Sequence, residues 1–188
     1  DIRTAIDHVA SADAAATVVV FGICSGADNG LAAAEADPRI VGLVLIDPPS
    51  YPTARAHLRS LRSRLRNPAV WATLPANLSR RLRSWLSPHA ETADASSGGR
   101  KPPLPEDYRR QLTGLVSRGV RILSIYTAAM GVDHNHADQL YESFPELRGK
   151  LDILYFPDAN HTFTEIAQQT ALISAVTDWC RRRFPAKI

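Results

Sequence analysis

Residues 17–27 read Thr-Val-Val-Val-Phe-Gly-Ile-Cys-Ser-Gly-Ala. Thr17 to Ile23 is a β-branched apolar run, which predicts a buried strand. It leads directly into Gly22-Ile23-Cys24-Ser25-Gly26, and the Ala-rich stretch from Gly26 to Ala36 predicts a helix. Strand, tight turn and helix form the setting of a Gly-x-nucleophile-x-Gly elbow. Such a turn holds its nucleophile in a strained conformation, and side chains two residues to either side would collide. Glycine at both flanks removes that collision. Cys24 has Gly22 and Gly26 at those positions, whereas Ser25 would have Ile23 and Ala27. The register therefore selects Cys24 as the nucleophile. Ser25 becomes the neighbour whose backbone N–H faces an oxyanion at the positive end of the helix. The competing reading is a cysteine merely buried after a strand, which is common for this residue type.

The same strand–helix rhythm continues outward. Residues 2–10 have helical spacing and precede the first strand. Ile40 to Ile46 predicts a second buried strand, ending at Asp47-Pro48-Pro49. Further on come a helix over Glu106 to Arg118, a strand over Val120 to Tyr126, and a short helix over Asn135 to Phe144. A fourth strand spans Leu151 to Phe156. The last helix runs from Thr164 to Phe184, with Ile166, Ile173, Val176 and Cys180 on one face. This alternation predicts an α/β fold with a mostly parallel sheet covered on both sides. The core comprises residues 1–49 and 106–188, interrupted by an insert at 50–105. In the insert, Thr53 to Arg66 and the Leu78, Leu82, Trp85, Leu86 pattern predict amphipathic helices. Glu91 to Pro105 is rich in Ser, Gly and Pro and predicts a mobile loop.

Composition narrows the function classes. At 188 residues, 45% hydrophobic and 22% charged, the chain is one globular domain. No apolar run approaches the ~20 residues of a membrane span. No basic-then-apolar leader opens the sequence, and two cysteines without CxxC spacing make neither a disulfide framework nor a metal site. The expectation is a cytoplasmic protein with no membrane partner, metal or cofactor. Net charge is +3, unevenly spread. Tyr51 to Ala90 holds eight Arg and no Asp or Glu, which leaves the rest of the chain mildly acidic. Nucleic acid is not the expected partner, since no aromatic interleaving accompanies the charge.

A nucleophile needs a base and an acid. His161 lies in the loop Pro157-Asp158-Ala159-Asn160-His161-Thr162-Phe163, between the last strand and the last helix. That is the general-base position in a chain order of nucleophile, acid, base. The loop after the third strand, Thr127 to His136, has Asp133 as its only carboxylate, with Asp138 just beyond. Asp133 is the first candidate acid and Asp138 the alternative. Asp158 could bond His161 locally, and His134 and His136 flank the acid in a D-H-x-H-x-D spacing that raises a metal reading.

The elbow, Asp133 and His161 together resemble the α/β-hydrolase superfamily. The Gly-x-Cys-Ser-Gly-Ala turn and the segment Asn160 to Thr164 are also similar to the serine-aminopeptidase-like hydrolases associated with exosortase systems. Cysteine in place of the usual serine resembles dienelactone hydrolases and polyhydroxyalkanoate synthases. The resemblance implies a Cys24–His161–Asp133 triad and acyl chemistry. It also implies about eight strands, of which four are legible, matching the second half of such a sheet. The first half, with the second oxyanion donor, would then come from upstream residues or from another chain. Inserts at this place in the superfamily are lids, so residues 50–105 are expected to cover the site. Arg62, Arg64 and Arg66 are expected to receive the phosphate of a phosphopantetheine thioester, on coenzyme A or an acyl-carrier protein. The expected activity is acyl transfer or thioester hydrolysis through an acyl-Cys24 intermediate. The alternatives are a small-ester esterase and a non-catalytic binding module on the same fold.

Overall fold

In the computed structural model, residues 2–12, 17–66 and 102–185 are described. The expected helix around Leu78 to Leu86, with Arg80, Arg81 and Arg83, lies outside them, as does the Ser/Gly/Pro stretch as far as residue 101.

Four strands carry the sheet: β1 (Val18–Ile23), β2 (Ile40–Ile46), β3 (Arg121–Thr127) and β4 (Asp152–Phe156). They are all parallel and lie in sequence order. The helices are α1 (Ile2–Ala12), α2 (Ser25–Ala36), α3 (Ala54–Arg66), α4 (Pro105–Ser117), α5 (Gln139–Ser143) and α6 (Ile166–Arg183), with two short 3₁₀ turns. The architecture is α/β, as the strand–helix alternation predicts. The short helix is shorter than expected: Asn135 to Asp138 form a loop and only Gln139–Ser143 is helical.

Both faces of β2 are buried because its side chains alternate between two cores. Leu43 and Leu45 join Leu31 of α2, Leu112 and Leu115 of α4 and Leu140 of α5 on one side. Val44 and Ile46 join Leu123, Ile125 and Trp179 of α6 on the other. The continuous apolar runs of β2 and β3 follow from this two-sided burial. Gly42 is needed for it: a Cβ there would come within 2.6 Å of the Phe184 ring, which lies on the sheet just past α6.

Two expectations are corrected here. β1, like β4, is an edge strand of the sheet formed by the described residues, and it is covered on one face only. Val18 and Val20 pack against the helical core, while Val19, Phe21 and Ile23 on the opposite face are 36%, 50% and 40% exposed. They share a face with Gly42, Val44 and Ile46 by register, but α6 packs over the strands to their side. On α6, Ile166 and Ile173 are exposed at 80% and 64%. The face that meets the sheet is instead Leu172, Val176, Trp179 and Cys180, because Trp179 also bonds Asp152 of β4 and so sets the helix rotation.

Candidate active site

The carboxyl ends of parallel strands are where an open α/β sheet gathers its chemistry. Cys24 sits one residue beyond β1, with φ 54° and ψ −118°, immediately before α2. Its N–H donates to the Ile46 carbonyl at 2.9 Å, and its own carbonyl accepts from Ala27 N at 2.9 Å. The elbow is thus stapled to the end of β2. The two flanking glycines are not equivalent. A Cβ on Gly22 would lie within 2.8 Å of Ala27 N and closer still to the Gly26 carbonyl, whereas a Cβ on Gly26 would meet nothing within 4 Å among the described residues. The steric demand falls on the strand side of the turn alone. Ser25 is the first residue of α2, where the leading N–H groups have no intrahelical acceptor. Cys24 is a free, half-buried thiol, and its Sγ makes no hydrogen bond among the described residues.

His161 lies in the loop between β4 and α6, with its side chain 38% exposed. Asn160 braces that loop: its Oδ1 accepts from Thr164 N at 3.1 Å and its Nδ2 donates to Thr164 Oγ1 at 2.6 Å. His161 Nδ1 is 2.7 Å from Asp47 Oδ2. Asp47 is fully buried. Its two oxygens also accept from Thr127 N at 2.8 Å and Thr127 Oγ1 at 2.7 Å. A carboxylate in this position makes Nδ1 the protonated nitrogen and leaves Nε2 as the base.

The carboxylate that the structure brings to His161 Nδ1 is that of Asp47, where the sequence pointed to Asp133. The reason is position along the strands. Asp47 directly follows β2, whose last carbonyl already holds the Cys24 N–H, so its carboxylate stands at the same sheet edge as the elbow. Asp133 lies six residues past the end of β3, in a loop fastened through its backbone. There Gln139, fully buried, donates to the carbonyls of Tyr51, Val132 and Asp133 and accepts from Asn135 N. Asp138 pairs with Arg148 at 3.3 Å. The sequence signal for Asp47 is its position: like Cys24 it is the first residue after a strand, although in sequence it reads as half of a strand-ending Asp-Pro pair.

Backbone strain converges on the same place. Among the described residues, the non-glycine positions with positive φ are Cys24, Asp47 and Phe163, at 54°, 47° and 50°. Two belong to the site and the third lies two residues beyond His161. Strain of this kind persists only where surrounding contacts over-determine it, and it concentrates at functional sites.

His134 and His136 do not converge on a common ligand. His134 is buried, stacks on Tyr126 with ring centroids 3.6 Å apart, and bonds Ser50 Oγ at 2.9 Å through Nδ1. Burial, aided by His136, holds its pKa at about 3. His136 pairs with Glu142 at 2.9 Å. Glu142 also accepts from Thr53 Oγ1 at 2.7 Å and Arg55 at 3.2 Å. Burial would raise the Glu142 carboxyl, but these three hydrogen bonds outweigh it and hold the pKa at about 2.

Arg62, Arg64 and Arg66 line a groove of about 940 Å³ on α3, together with Arg55 and Arg59, which the sequence reading did not single out as ligands. Tyr155 of β4 and Ala128, the residue after Thr127, also line this groove. Cys24 and His161 are not among the described residues that line it.

No helix among the described residues is long and apolar enough to cross a membrane. No family model matches the sequence, and no curated protein matches it. Solved structures similar to this chain include VinJ, at 14% identity and a TM-score of 0.43 over 94% of this chain and 70% of that one. DcsB in complex with its substrate analogue is similar at 14% identity and a TM-score of 0.48, over 97% and 71%. The alpha/beta hydrolase GrgF from Penicillium sp. sh18 is similar at 13% identity and a TM-score of 0.38, over 89% and 64%.

Proposed function

We propose that the chain is an acyl-transfer enzyme of the α/β-hydrolase type, working through Cys24, His161 and Asp47. The observation that carries this reading is the Asp47–His161 hydrogen bond of 2.7 Å at the sheet edge where Cys24 stands in its strained turn. Asp47 orients the imidazole and stabilises its charged form. His161 Nε2 takes the Cys24 thiol proton as Sγ attacks an ester or thioester carbonyl. The tetrahedral oxyanion lies against the Ser25 N–H at the start of α2. Collapse breaks the bond to the leaving group, which receives the proton from His161. Water or an acceptor, deprotonated by the same imidazole, then attacks the acyl-Cys24 and restores the thiol. Exchanging one thioester for another is nearly isoenergetic, so a Cys nucleophile favours thioester donors.

The open face of β1 supports a further part of this reading. Val19, Phe21 and Ile23, together with the free strand edge, form the surface that additional strands would cover. In this reading they come from upstream residues or another chain and supply the second oxyanion donor.

The test is intact-protein mass spectrometry of the full-length or partnered protein after exposure to a panel of acyl thioesters. An adduct mapping to Cys24, absent in Cys24→Ala and slowed in His161→Ala, is the expected result. No adduct across the panel, with a thiol also unreactive to iodoacetamide, would assign the fold to a non-catalytic binding module.

A further inference from the structure

We propose that the groove along α3 is a binding site for the phosphate end of an acyl thioester, held by Arg59, Arg62 and Arg66. This deepens the reading of Cys24 as an acyl-accepting nucleophile and rests on it.

Helix periodicity sorts the α3 arginines. Arg55, Arg59, Arg62 and Arg66 recur at i, i+4, i+7 and i+11, which places them on one stripe roughly 16 Å long. The Arg64 Cα falls on the opposite side, although its side chain also reaches the groove. Like charges at this spacing repel and weaken the helix. Of the four, Arg55 is neutralised by Glu142, whose carboxylate is already shared with Thr53 and His136. Among the described residues, Arg59, Arg62 and Arg66 have no ion pair and no acidic residue lines the groove. A stripe of guanidinium groups without carboxylates is an anion site, and Arg forks match phosphate oxygens two at a time.

The groove is fixed in place. Thr53 caps α3 through the Ala56 N–H and bonds Glu142 of α5. Asn135 Nδ2 donates to the Ala56 carbonyl at 2.9 Å. These bonds hold the stripe against the loop that follows β3. Ala128, on the groove wall, is covalently next to Thr127, the residue that holds Asp47. Tyr155 of β4 also lines the wall. In this proposal a ligand lies in the groove with its anionic end on the Arg stripe and extends past Ala128 towards Cys24. Its anionic end and its reacting carbonyl would belong to one extended molecule. A thioester on a phosphopantetheine arm has that layout, whether the arm ends as free coenzyme A or on a carrier protein.

The test compares one acyl group on four donors: pantetheine without phosphate, 4′-phosphopantetheine, coenzyme A, and a phosphopantetheine-bearing carrier protein. Acylation rates of Cys24 are read by mass. The expected kcat/KM advantage of phosphate-bearing over phosphate-free donor is about tenfold or more, as one or two charge-assisted hydrogen bonds supply. That ratio should fall towards unity in Arg59→Ala and Arg62→Ala. A preference for coenzyme A or for the carrier assigns the source of the phosphate. Equal rates on all four donors in the wild-type chain, or an undiminished ratio in both variants, would overturn the proposal while leaving Cys24 as the nucleophile. Calorimetry with adenosine 3′,5′-bisphosphate on Cys24→Ala is independent of acylation, so it decides the anion site even if no thioester reacts. Binding weakened by Arg59→Ala supports the site. No binding, or stronger binding of a polyglutamate peptide, refutes it.

Discussion

Asp47 and His161 are 114 residues apart in the chain and meet in a 2.7 Å hydrogen bond. The bond joins the end of the second strand to the loop after the fourth, across the end of the third. Thr127, at the end of that third strand, holds Asp47 from behind with both its N–H and its hydroxyl. Each of the three strands beside the elbow thus contributes one member of the relay.

The first prediction separates the two candidate acids. Asp47→Asn should slow Cys24 acylation by about a hundredfold or more, because the imidazole loses its orientation and the partner of its charged form. Asp133→Asn should change it by far less. The reverse order in single-turnover kinetics would return the acid to the loop after β3.

A second prediction concerns the elbow glycines. Gly22→Ala should destabilise the fold and abolish acylation, since its Cβ has no room against the Gly26 carbonyl and Ala27 N. Gly26→Ala, in the first turn of a helix with open space at its Cβ, should leave stability unchanged or raise it by up to about 1 kcal/mol. Urea midpoints of the two variants check the asymmetry, and equal losses would refute it.

The third prediction follows from Glu142. Its pKa is about 2 in the folded protein against 4.5 ordinarily. The stability this contributes is complete above pH 4.5 and is lost as pH falls towards 2. Glu142→Gln should flatten the pH dependence of unfolding over that interval. A slope unchanged in the variant would show that the carboxylate is not what couples α3 and α5 to acid.

His134 supplies the fourth. A pKa lowered from 6.5 to about 3 keeps the imidazole neutral in the folded state, chiefly through burial. Its contribution is present above pH 6.5 and is lost as pH falls towards 3, because the unfolded chain takes up the proton first. In NMR spectra at pH 5, the His134 ring should still show neutral-imidazole shifts. A charged ring at that pH would contradict the buried stack on Tyr126.

Much of the fold was legible from local pattern. The apolar runs at 17–23, 40–46, 120–126 and 151–156 mark the four strands; those of β2 and β3 are continuous because their side chains fill two cores at a period of two, whereas β1 buries one face. The helices between them follow from length and spacing. The elbow was equally legible, since Gly-Ile-Cys-Ser-Gly between a strand and a helix constrains its own backbone. His161 could be picked out by its place between the last strand and the last helix. These are all properties of contiguous residues.

What tertiary structure decided is which distant groups meet. Whether Asp47 or Asp133 faces His161 depends on how far each lies from its strand end and on where Gln139 fastens the loop after β3. Both depend on contacts 80 or more residues apart, such as Asp47 with Thr127 and Gln139 with Tyr51. The rotation of α6 was set by Trp179 reaching Asp152, so two isoleucines that fit a helical face ended up in solvent. The arginines were visible as a charge run. That they line one groove beside the wall that carries Tyr155 came from Asn135 and Glu142 holding α3 in place. Sequence determines local conformation through sterics and periodicity, but hydrogen bonds between strand ends and loops choose the members of the site.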